Sequence, residues 1–151
     1  MILDQKVVVQ AAPDKVWDFL MDIPAVSACV PGVESFEKID DDTFLGSLKV
    51  KVGPIGIKLN GKVIVVERDR ENFRSRIDVQ AAEKRLNSAV SAHATLTLVP
   101  HSETETEVHI HTESSILGKL GEFGQAVMRR KADQIVGEFA RNMATTIGAS
   151  S

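Results

Sequence analysis

The chain has 151 residues, of which 43% are hydrophobic and 26% charged, and its formal net charge is -3 at pH 7. This length and balance are typical of one globular domain with a core of its own. The lack of a basic excess argues against nucleic acid as a partner, because too few cations are present to neutralise phosphates. One cysteine excludes an internal disulfide, and no apolar run approaches the roughly 18 residues of a membrane span.

The beginning of the chain shows no basic segment followed by an apolar run, so no signal peptide is expected. A single cytoplasmic domain over residues 1–151 is therefore the prediction. The chain has six phenylalanines, one tryptophan and no tyrosine. An interior cavity would consequently be lined mainly by aliphatic groups, and no phenol is available for catalysis.

The first third of the chain predicts one strand and two short helices. Leu3–Ala11 alternates and is rich in valine, which favours a strand. Pro13 opens a helix at its favoured first position, and Trp17 is expected in the core. A second helix over Ala25–Cys29 is expected to end at the following Pro-Gly pair. Six strands should follow: Val33–Ile39, Thr43–Val52, Ile57–Glu67, Phe73–Ala81, Asn87–Val99 and Thr104–Ser115.

A long amphipathic helix is predicted over Glu122–Met143, because apolar residues recur there at steps of three, four, seven and eight. Roughly 22 residues at about 1.5 Å each span about 33 Å, the length of a strand of about ten residues. The helix should therefore lie across the apolar face of a curved seven-stranded antiparallel sheet. Residues 145–151 are expected to form a flexible tail.

Glycine recurs every third residue at the start of this helix, at Gly118, Gly121 and Gly124. Glycine inside a helix costs about 1 kcal/mol relative to alanine. In one interpretation, the first two belong to a loop and the third permits close packing. In the other, the missing side chains keep open a gap where a ligand could enter. Both interpretations remain open at this point.

Small residues also recur on the strand faces that should point at the helix, so a cavity is predicted there. Bulky helix residues could fill the space, but the helix itself carries Gly124, Ala132 and Ala140. An unfilled void costs roughly 24 cal/mol per Å³, which favours a binding site over a packing defect. The predicted ligand-binding residues are Gly46, Leu48, Gly61, Val63, Ile77, Ala92 and Ala94 on the sheet, and Leu120, Gly121, Phe123, Gly124, Val127, Met128, Ile135 and Phe139 at the helix. Gly121 and Gly124, with Leu120, Phe123 and Met128, should border the entrance.

The order of these elements resembles the helix-grip fold of START and Bet v 1-like domains (the SRPBCC superfamily), of the α+β class. Five segments resemble the CoxG family, named for the G subunit of carbon monoxide dehydrogenase: APDKVWDFL over residues 12–20, CVPG over 29–32, VKVGPI over 50–55, NGKV over 60–63 and GKLGEFG over 118–124. The resemblance extends over nearly the whole chain. The second and third segments are the most specific in combination.

This resemblance implies an accessory or carrier protein of a molybdenum hydroxylase, which binds an apolar, quinone- or lipid-like molecule between sheet and helix. Many members continue into a membrane-associating tail, whereas a short polar end follows the predicted helix here. At most weak peripheral contact with the inner face of the cell membrane is therefore expected. Residues 82–87 stand where the family pattern has a glycine-rich stretch, so the resemblance leaves the identity of the ligand open.

No catalytic residue, metal ligand or cofactor is predicted. The inward positions are nearly all apolar, serine or threonine, and no paired carboxylates, Ser-His-Asp order or phosphate loop stands out. This pattern favours a carrier over a catalyst. The alternatives are a polyketide cyclase or aromatase-like enzyme and a ligand-free assembly protein for a hydroxylase.

Three further features of the sequence have ordinary structural explanations. Cys29 is expected to be a buried small hydrophobe. His93, His109 and His111 are expected on the sheet face away from the helix, with His93 opposite His111, as solvent-facing residues rather than metal ligands. The basic run at residues 129–131 is expected to be a solvated helix face, with a docking patch as the alternative.

Overall fold

The computed structural model describes residues 1–149, with no side-chain description at residue 149. Seven strands, three α-helices and one 3₁₀ helix follow one another in this part of the chain. In chain order they are β1 (Ile2–Val9), α1 (Pro13–Met21), α2 (Ile23–Cys29), β2 (Val33–Lys38), β3 (Thr43–Val52), β4 (Ile55–Asp69), β5 (Arg74–Glu83), β6 (Ser88–Ser102), β7 (Glu105–Leu117), the 3₁₀ helix (Lys119–Phe123) and α3 (Gln125–Ala149).

The strands form one antiparallel sheet in the order β1-β7-β6-β5-β4-β3-β2. Short turns connect β2 through β7 in sequence, so each strand pairs with the next, whereas β1 closes against β7. Register shifts at Val33/Ser35, Val65/Glu67 and Pro100/Ser102 mark bulges, which increase the local bend of a sheet. The predicted α+β helix-grip fold, with two short helices after the first strand, is confirmed.

The register defines an inner face that carries the apolar positions. Ile77 pairs with Ala94, Ala94 with Thr112, and Thr112 with Leu3, so these four side chains share one face across four strands. Because side chains alternate along a strand, every second residue from these points also lies on the inner face. The alternation anticipated from the sequence therefore has the correct phase.

The first of two apolar clusters holds one end of the interior. It joins α1, the end of α3 and strands β1, β6 and β7. Trp17, predicted in the core, is 3% exposed and lies 5.8 Å from the ring of Phe73. The buried members of the first cluster are Val9, Ala11, Val16, Trp17, Leu20, Leu98, Val108, Met143 and Ile147.

The second cluster holds the other end of the interior. Leu120 from the 3₁₀ helix packs against Val52 and Ile57 at the tip of the β3–β4 hairpin. Side chains from β3, β4, the β5–β6 turn, β6, β7 and α3 surround them. The partly buried members are Val50, Leu59, Leu86, Val90, Ile116, Phe123, Val127 and Met128.

The C-terminal helix differs from its predicted bounds of Glu122–Met143 at both ends. Gly124 takes a φ of 89°, which separates the 3₁₀ helix from α3, so α3 begins at Gln125. Residues 145–149, predicted as part of a tail, belong to α3, because Ile147 is 7% exposed within the first cluster. The last two residues of the predicted tail lie outside the described residues.

The α3 helix lies over the β1 side of the sheet. Arg129 donates to the carbonyl of Ile2 at 2.9 Å, and Gln5 donates to the carboxylate of Asp133 at 3.0 Å. These contacts fix the helix next to one edge of the sheet. Within residues 1–149, no helix combines the length and the hydropathy needed to cross a membrane.

Candidate ligand site between the sheet and the C-terminal helix

The middle of the inner face lies between the two clusters and belongs to neither. We call this stretch the middle zone and define it by Val63, Ile77, Val79, Ala92 and Ala94. All five side chains face inward by register and are partly exposed, whereas Phe44 and Val65, their partners on the neighbouring strands, are buried. Apolar side chains that face the interior but remain in reach of solvent are typical of the wall of an open binding site.

The facing side of α3 follows the same pattern. Residues at steps of four from Val127 to Ile147 follow a stripe that winds slowly around the helix, because each step of four exceeds one turn by about 40°. Met143 and Ile147 belong to the first cluster and Val127 to the second. Between them, Lys131 and Ile135 are partly exposed. The stripe therefore has a middle portion that belongs to neither cluster, as the middle zone of the sheet does.

The predicted site residues divide into three groups. Five belong to the clusters at the two ends of the interior: Leu120, Phe123, Val127 and Met128 at one end and Phe139 at the other. Eight lie between the clusters on the inner face or on α3: Gly46, Leu48, Gly61, Val63, Ile77, Ala92, Ala94 and Ile135. Gly121 and Gly124 are exposed beside the second cluster.

Gly46 and Gly61 form a cross-strand pair whose small size has a structural cause. A Cβ added at Gly61 would lie 3.1 Å from the Cβ of Ala81, and one at Gly46 would lie 3.0 Å from the carbonyl oxygen of Ser35. The sheet bends closely enough here that the neighbouring strands occupy the space beside these glycines. That these two residues also line a ligand is still a prediction.

The three glycines before α3 have three different roles. Gly118 has a φ of 89°, and a Cβ there would lie 2.2 Å from the carbonyl oxygen of Asn87, so glycine is required. Gly121 has room for a methyl group, with Ile116 at 3.7 Å. Gly124 has the positive φ but open space around it, so it provides the break before α3 rather than close packing. The loop interpretation is therefore correct for Gly118, and the close-packing interpretation of Gly124 is wrong.

Glu83 is an inward-facing carboxylate that the sequence analysis overlooked. Its side chain is 3% exposed, and it pairs with Ser88 on the inner face. One carboxylate oxygen accepts a hydrogen bond from the backbone N–H of Lys58, and the other accepts from the N–H of Arg85 at 3.0 Å. The alternation Ser75, Ile77, Val79 leads directly to this position, so its orientation could have been found. Because each oxygen accepts a backbone hydrogen bond, Glu83 joins the β3–β4 hairpin to the β5–β6 turn.

The histidines lie on the outer face, as predicted, but in a different register. His93 is opposite Glu113 rather than His111, because the β6–β7 turn is centred after Ser102 and a bulge precedes it. His93 lies 2.7 Å from Asp78, and His111 lies 2.6 Å from Asp4. The part of the chain that the structure describes contains no group of three or more His, Cys, Asp or Glu residues placed to hold a metal ion.

Two titratable groups on the outer face, His111 and Glu107, have shifted pKa values. The hydrogen bond with Asp4 raises the pKa of His111 above its ordinary value of 6.5. His109, with a ring nitrogen 2.9 Å from Glu107, lowers the pKa of that carboxyl, although the two atoms are poorly aligned for a hydrogen bond. His101, 2.8 Å from the other oxygen, acts in the same direction. His109 and His101 thus both favour the charged form of Glu107.

The Asp4–His111 pair is expected to stabilise the fold fully below about pH 6.5, and this contribution should be lost as pH rises through the raised pKa of His111. The sign follows because the folded state holds the proton more tightly than the unfolded state. Denaturant unfolding of the wild type and of Asp4→Asn measures it. The difference between the two should be larger at acidic than at alkaline pH, and a difference that grows with pH would contradict the assignment.

Two shallow depressions lie on the outer face rather than in the middle zone. The larger, of about 570 Å³, is bordered by outward residues such as Leu45, Lys62 and Gln80 and by the backs of Gly46 and Gly61. The smaller, of about 350 Å³, runs on from Gln80 to Leu117. Both are open troughs along the outer face, and Asn60 and Gln80 line both of them, so they do not provide the apolar surface that a quinone or lipid would need.

Comparison with known proteins identifies the family. The family model for the G subunit of carbon monoxide dehydrogenase (CoxG) matches residues 6–148. The chain belongs to the CoxG family. No curated protein matches the sequence. The predicted family resemblance is thus confirmed over all elements from β1 to α3.

Solved structures show the same fold at low sequence identity. A conserved protein from Geobacillus kaustophilus is 19% identical with a TM-score of 0.90, over 99% of this chain and 97% of that chain. A START superfamily protein from Mycobacterium smegmatis is 8% identical with a TM-score of 0.73, over 99% of both chains. The Zhui aromatase/cyclase from Streptomyces sp. R1128 is 14% identical with a TM-score of 0.61, over 97% and 90%. At these identities, the likeness concerns the fold alone.

Proposed function

We propose that this CoxG-family protein binds an apolar small molecule, quinone- or lipid-like, between the inner face of the sheet and α3. In this proposal it serves a molybdenum hydroxylase of the carbon monoxide dehydrogenase type as a non-catalytic carrier or accessory protein. The observation that carries the proposal is the middle zone, whose inward apolar side chains lie between two closed clusters without being buried themselves.

The middle zone supplies the driving force for such binding. Its five side chains are aliphatic, so they offer water no hydrogen-bond partners. A ligand that covers about 300 Å² of this surface would gain roughly 7 kcal/mol before the loss of translational and rotational freedom is counted. An apolar ring or chain fits this chemistry, whereas a hydrated polar substrate would lose hydrogen bonds without replacement.

The strand residues of the middle zone offer no acid or base, which favours a carrier. Glu83, the buried carboxylate at the end of β5, already accepts two backbone hydrogen bonds. General acid–base catalysis requires a titratable group within hydrogen-bond reach of the substrate. The middle zone of the sheet lacks such a group.

A cyclase-like enzyme is the second candidate, because the Streptomyces aromatase/cyclase and the norcoclaurine synthase from Thalictrum flavum share the fold. On α3, Lys131 is the titratable residue of the stripe between Val127 and Ile147. Turnover of an aromatic polyketide or activated acyl compound that Lys131→Met abolishes would establish the enzyme. No turnover with either protein is the result that a carrier requires.

Titration with decylubiquinone, followed by native mass spectrometry, tests the carrier proposal directly. One molecule per chain is expected, with an affinity that changes little with salt because apolar burial drives it. Freshly purified protein should also carry a co-purified apolar molecule of similar size. An absence of complex up to the solubility limit of the quinone would contradict the proposal.

A further inference from the structure

Three segments meet at the end of the molecule that the second cluster closes. They are the β3–β4 hairpin over residues 49–58, the β5–β6 turn over residues 83–87 and the segment over residues 117–123. Leu120 packs against the hairpin, Arg85 donates to the carbonyl of Gly56 at 2.6 Å, and the N–H of Leu120 donates to Ser88 at 2.9 Å. We call this surface the basic end.

The basic end carries an excess of cations. It contains six basic residues and two acidic ones, and one of the acids, Glu83, is buried and already hydrogen-bonded. The other acid is Glu122. All six basic side chains are exposed: Lys49, Lys51, Lys58, Lys84, Arg85 and Lys119. Of these, Lys58 lies 3.9 Å from the carboxylate of Glu34, and Arg85 lies 3.9 Å from that of Glu83.

The opposite end of the sheet has the opposite charge. The β2–β3 turn holds three consecutive aspartates, Asp40, Asp41 and Asp42, and α1 adds Asp14 and Asp18, although Lys38, Arg68 and Arg70 pair with four of these five. The net charge of -3 therefore conceals a separation of charge along the molecule. An extended anionic surface would orient the protein with its basic end inward, because the field of the whole molecule steers such encounters.

Exposed apolar side chains stand among the cations of the basic end. Ile55, at the hairpin tip beside Pro54, is 40% exposed, and Leu117 is 68% exposed. Apolar tips surrounded by lysines are suited to a lipid interface, where the tips enter the boundary and the cations meet headgroups. A protein partner fits less well, because lysine is depleted at protein–protein interfaces and five of the six cations are lysines.

We propose that the basic end docks on an anionic lipid bilayer, with Ile55 and Leu117 at the lipid boundary and the lysines over the headgroups. The second cluster lies directly behind this surface and closes one end of the ligand space. Under the proposed carrier function, docking holds the ligand space next to the bilayer from which an apolar ligand would come. This last step rests on the proposed function, whereas the docking itself does not.

Vesicle flotation tests the docking. The wild type should float with vesicles of phosphatidylcholine containing about 30% phosphatidylglycerol and not with phosphatidylcholine alone, and flotation should fall as salt rises from about 50 to about 500 mM. Lys51→Glu combined with Lys84→Glu should lower the partition coefficient by at least about tenfold, because each cation near the surface contributes about fivefold. Ile55→Ser should lower it further.

The opposite end provides matched controls. Lys15→Glu reverses an exposed lysine on α1, and Ile39→Ser changes an isoleucine that is 50% exposed. Both should float like the wild type. Equal flotation with neutral vesicles, no flotation at all, or an equal loss in the control variants would overturn the docking. An acidic protein surface as the true partner would appear as no flotation. The decylubiquinone titration of Lys51→Glu/Lys84→Glu without vesicles should match the wild type, so failure of docking and failure of ligand binding are distinguishable.

Discussion

Replacing Leu120 with alanine is expected to lower the free energy of unfolding by about 2–5 kcal/mol. Leu120 is 1% exposed and is the centre of the second cluster, between Val52 and Ile57. Removing its branched end leaves a cavity that the short 3₁₀ helix cannot close, because Gly118 is held against Asn87 and Ser88. Denaturant unfolding measures the change.

Leu117→Ala is the matched control for this prediction. It removes the same atoms three residues earlier, from a side chain that is 68% exposed. Its effect should stay within about 0.5 kcal/mol of the wild type. A loss below about 1 kcal/mol in Leu120→Ala would show that the 3₁₀ helix does not anchor this end of the interior.

Replacing Glu83 with alanine is expected to cost about 2–4 kcal/mol, because the backbone N–H groups of Lys58 and Arg85 each lose a charged acceptor. Glu83→Gln should cost less, since the amide oxygen can still accept one of the two hydrogen bonds. Chemical unfolding of both variants measures the two losses in the free energy of unfolding and shows which is larger.

Glu122→Ala removes an exposed carboxylate at the same end of the molecule and should leave stability near that of the wild type. Equal stabilities of Glu83→Ala and Glu122→Ala would contradict the role assigned to Glu83. The comparison also bears on function: if Glu83 served as a catalytic base, its removal would affect turnover rather than folding.

Most of the sheet could be predicted from the sequence because its signals are local. Alternation in Thr43–Val52 and in the segments after it has a period of two, and short polar turns force each strand to pair with the next. The inward phase of Ile77 and Ala94 followed from the same alternation. For these elements, neighbouring residues contain the information.

The errors concern features that depend on distant contacts. The boundary at Gly124 requires a positive φ that no neighbouring residue dictates, and the docking of Leu120 depends on Ser88, 32 positions earlier. The β6–β7 register moved because of a bulge near His101. A helix can be predicted from its periodicity, but its position over β1 depends on contacts such as that between Arg129 and Ile2.

The sequence predicts which side chains line the candidate site, but not how much space lies between them. The identity of the inward residues follows from strand phase, whereas the space between them depends on how far the sheet bends away from α3. Gly46 and Gly61 illustrate the difference, since their missing side chains accommodate neighbouring strands. The limits of the middle zone are set by the two clusters at opposite ends of the interior, and both clusters depend on contacts between distant residues.

The Ala94→Leu variant tests the middle zone most directly. Ala94 lies between Ile77 and Thr112 on the neighbouring strands, and it is only partly buried. If the space is open, the larger side chain should leave the free energy of unfolding unchanged or higher and weaken decylubiquinone binding by about tenfold or more. Ala89→Leu, on the outer face of the same strand, should change neither quantity. A destabilisation of about 1–3 kcal/mol in Ala94→Leu with unchanged quinone binding would contradict the account, because it would show a closed core at this position.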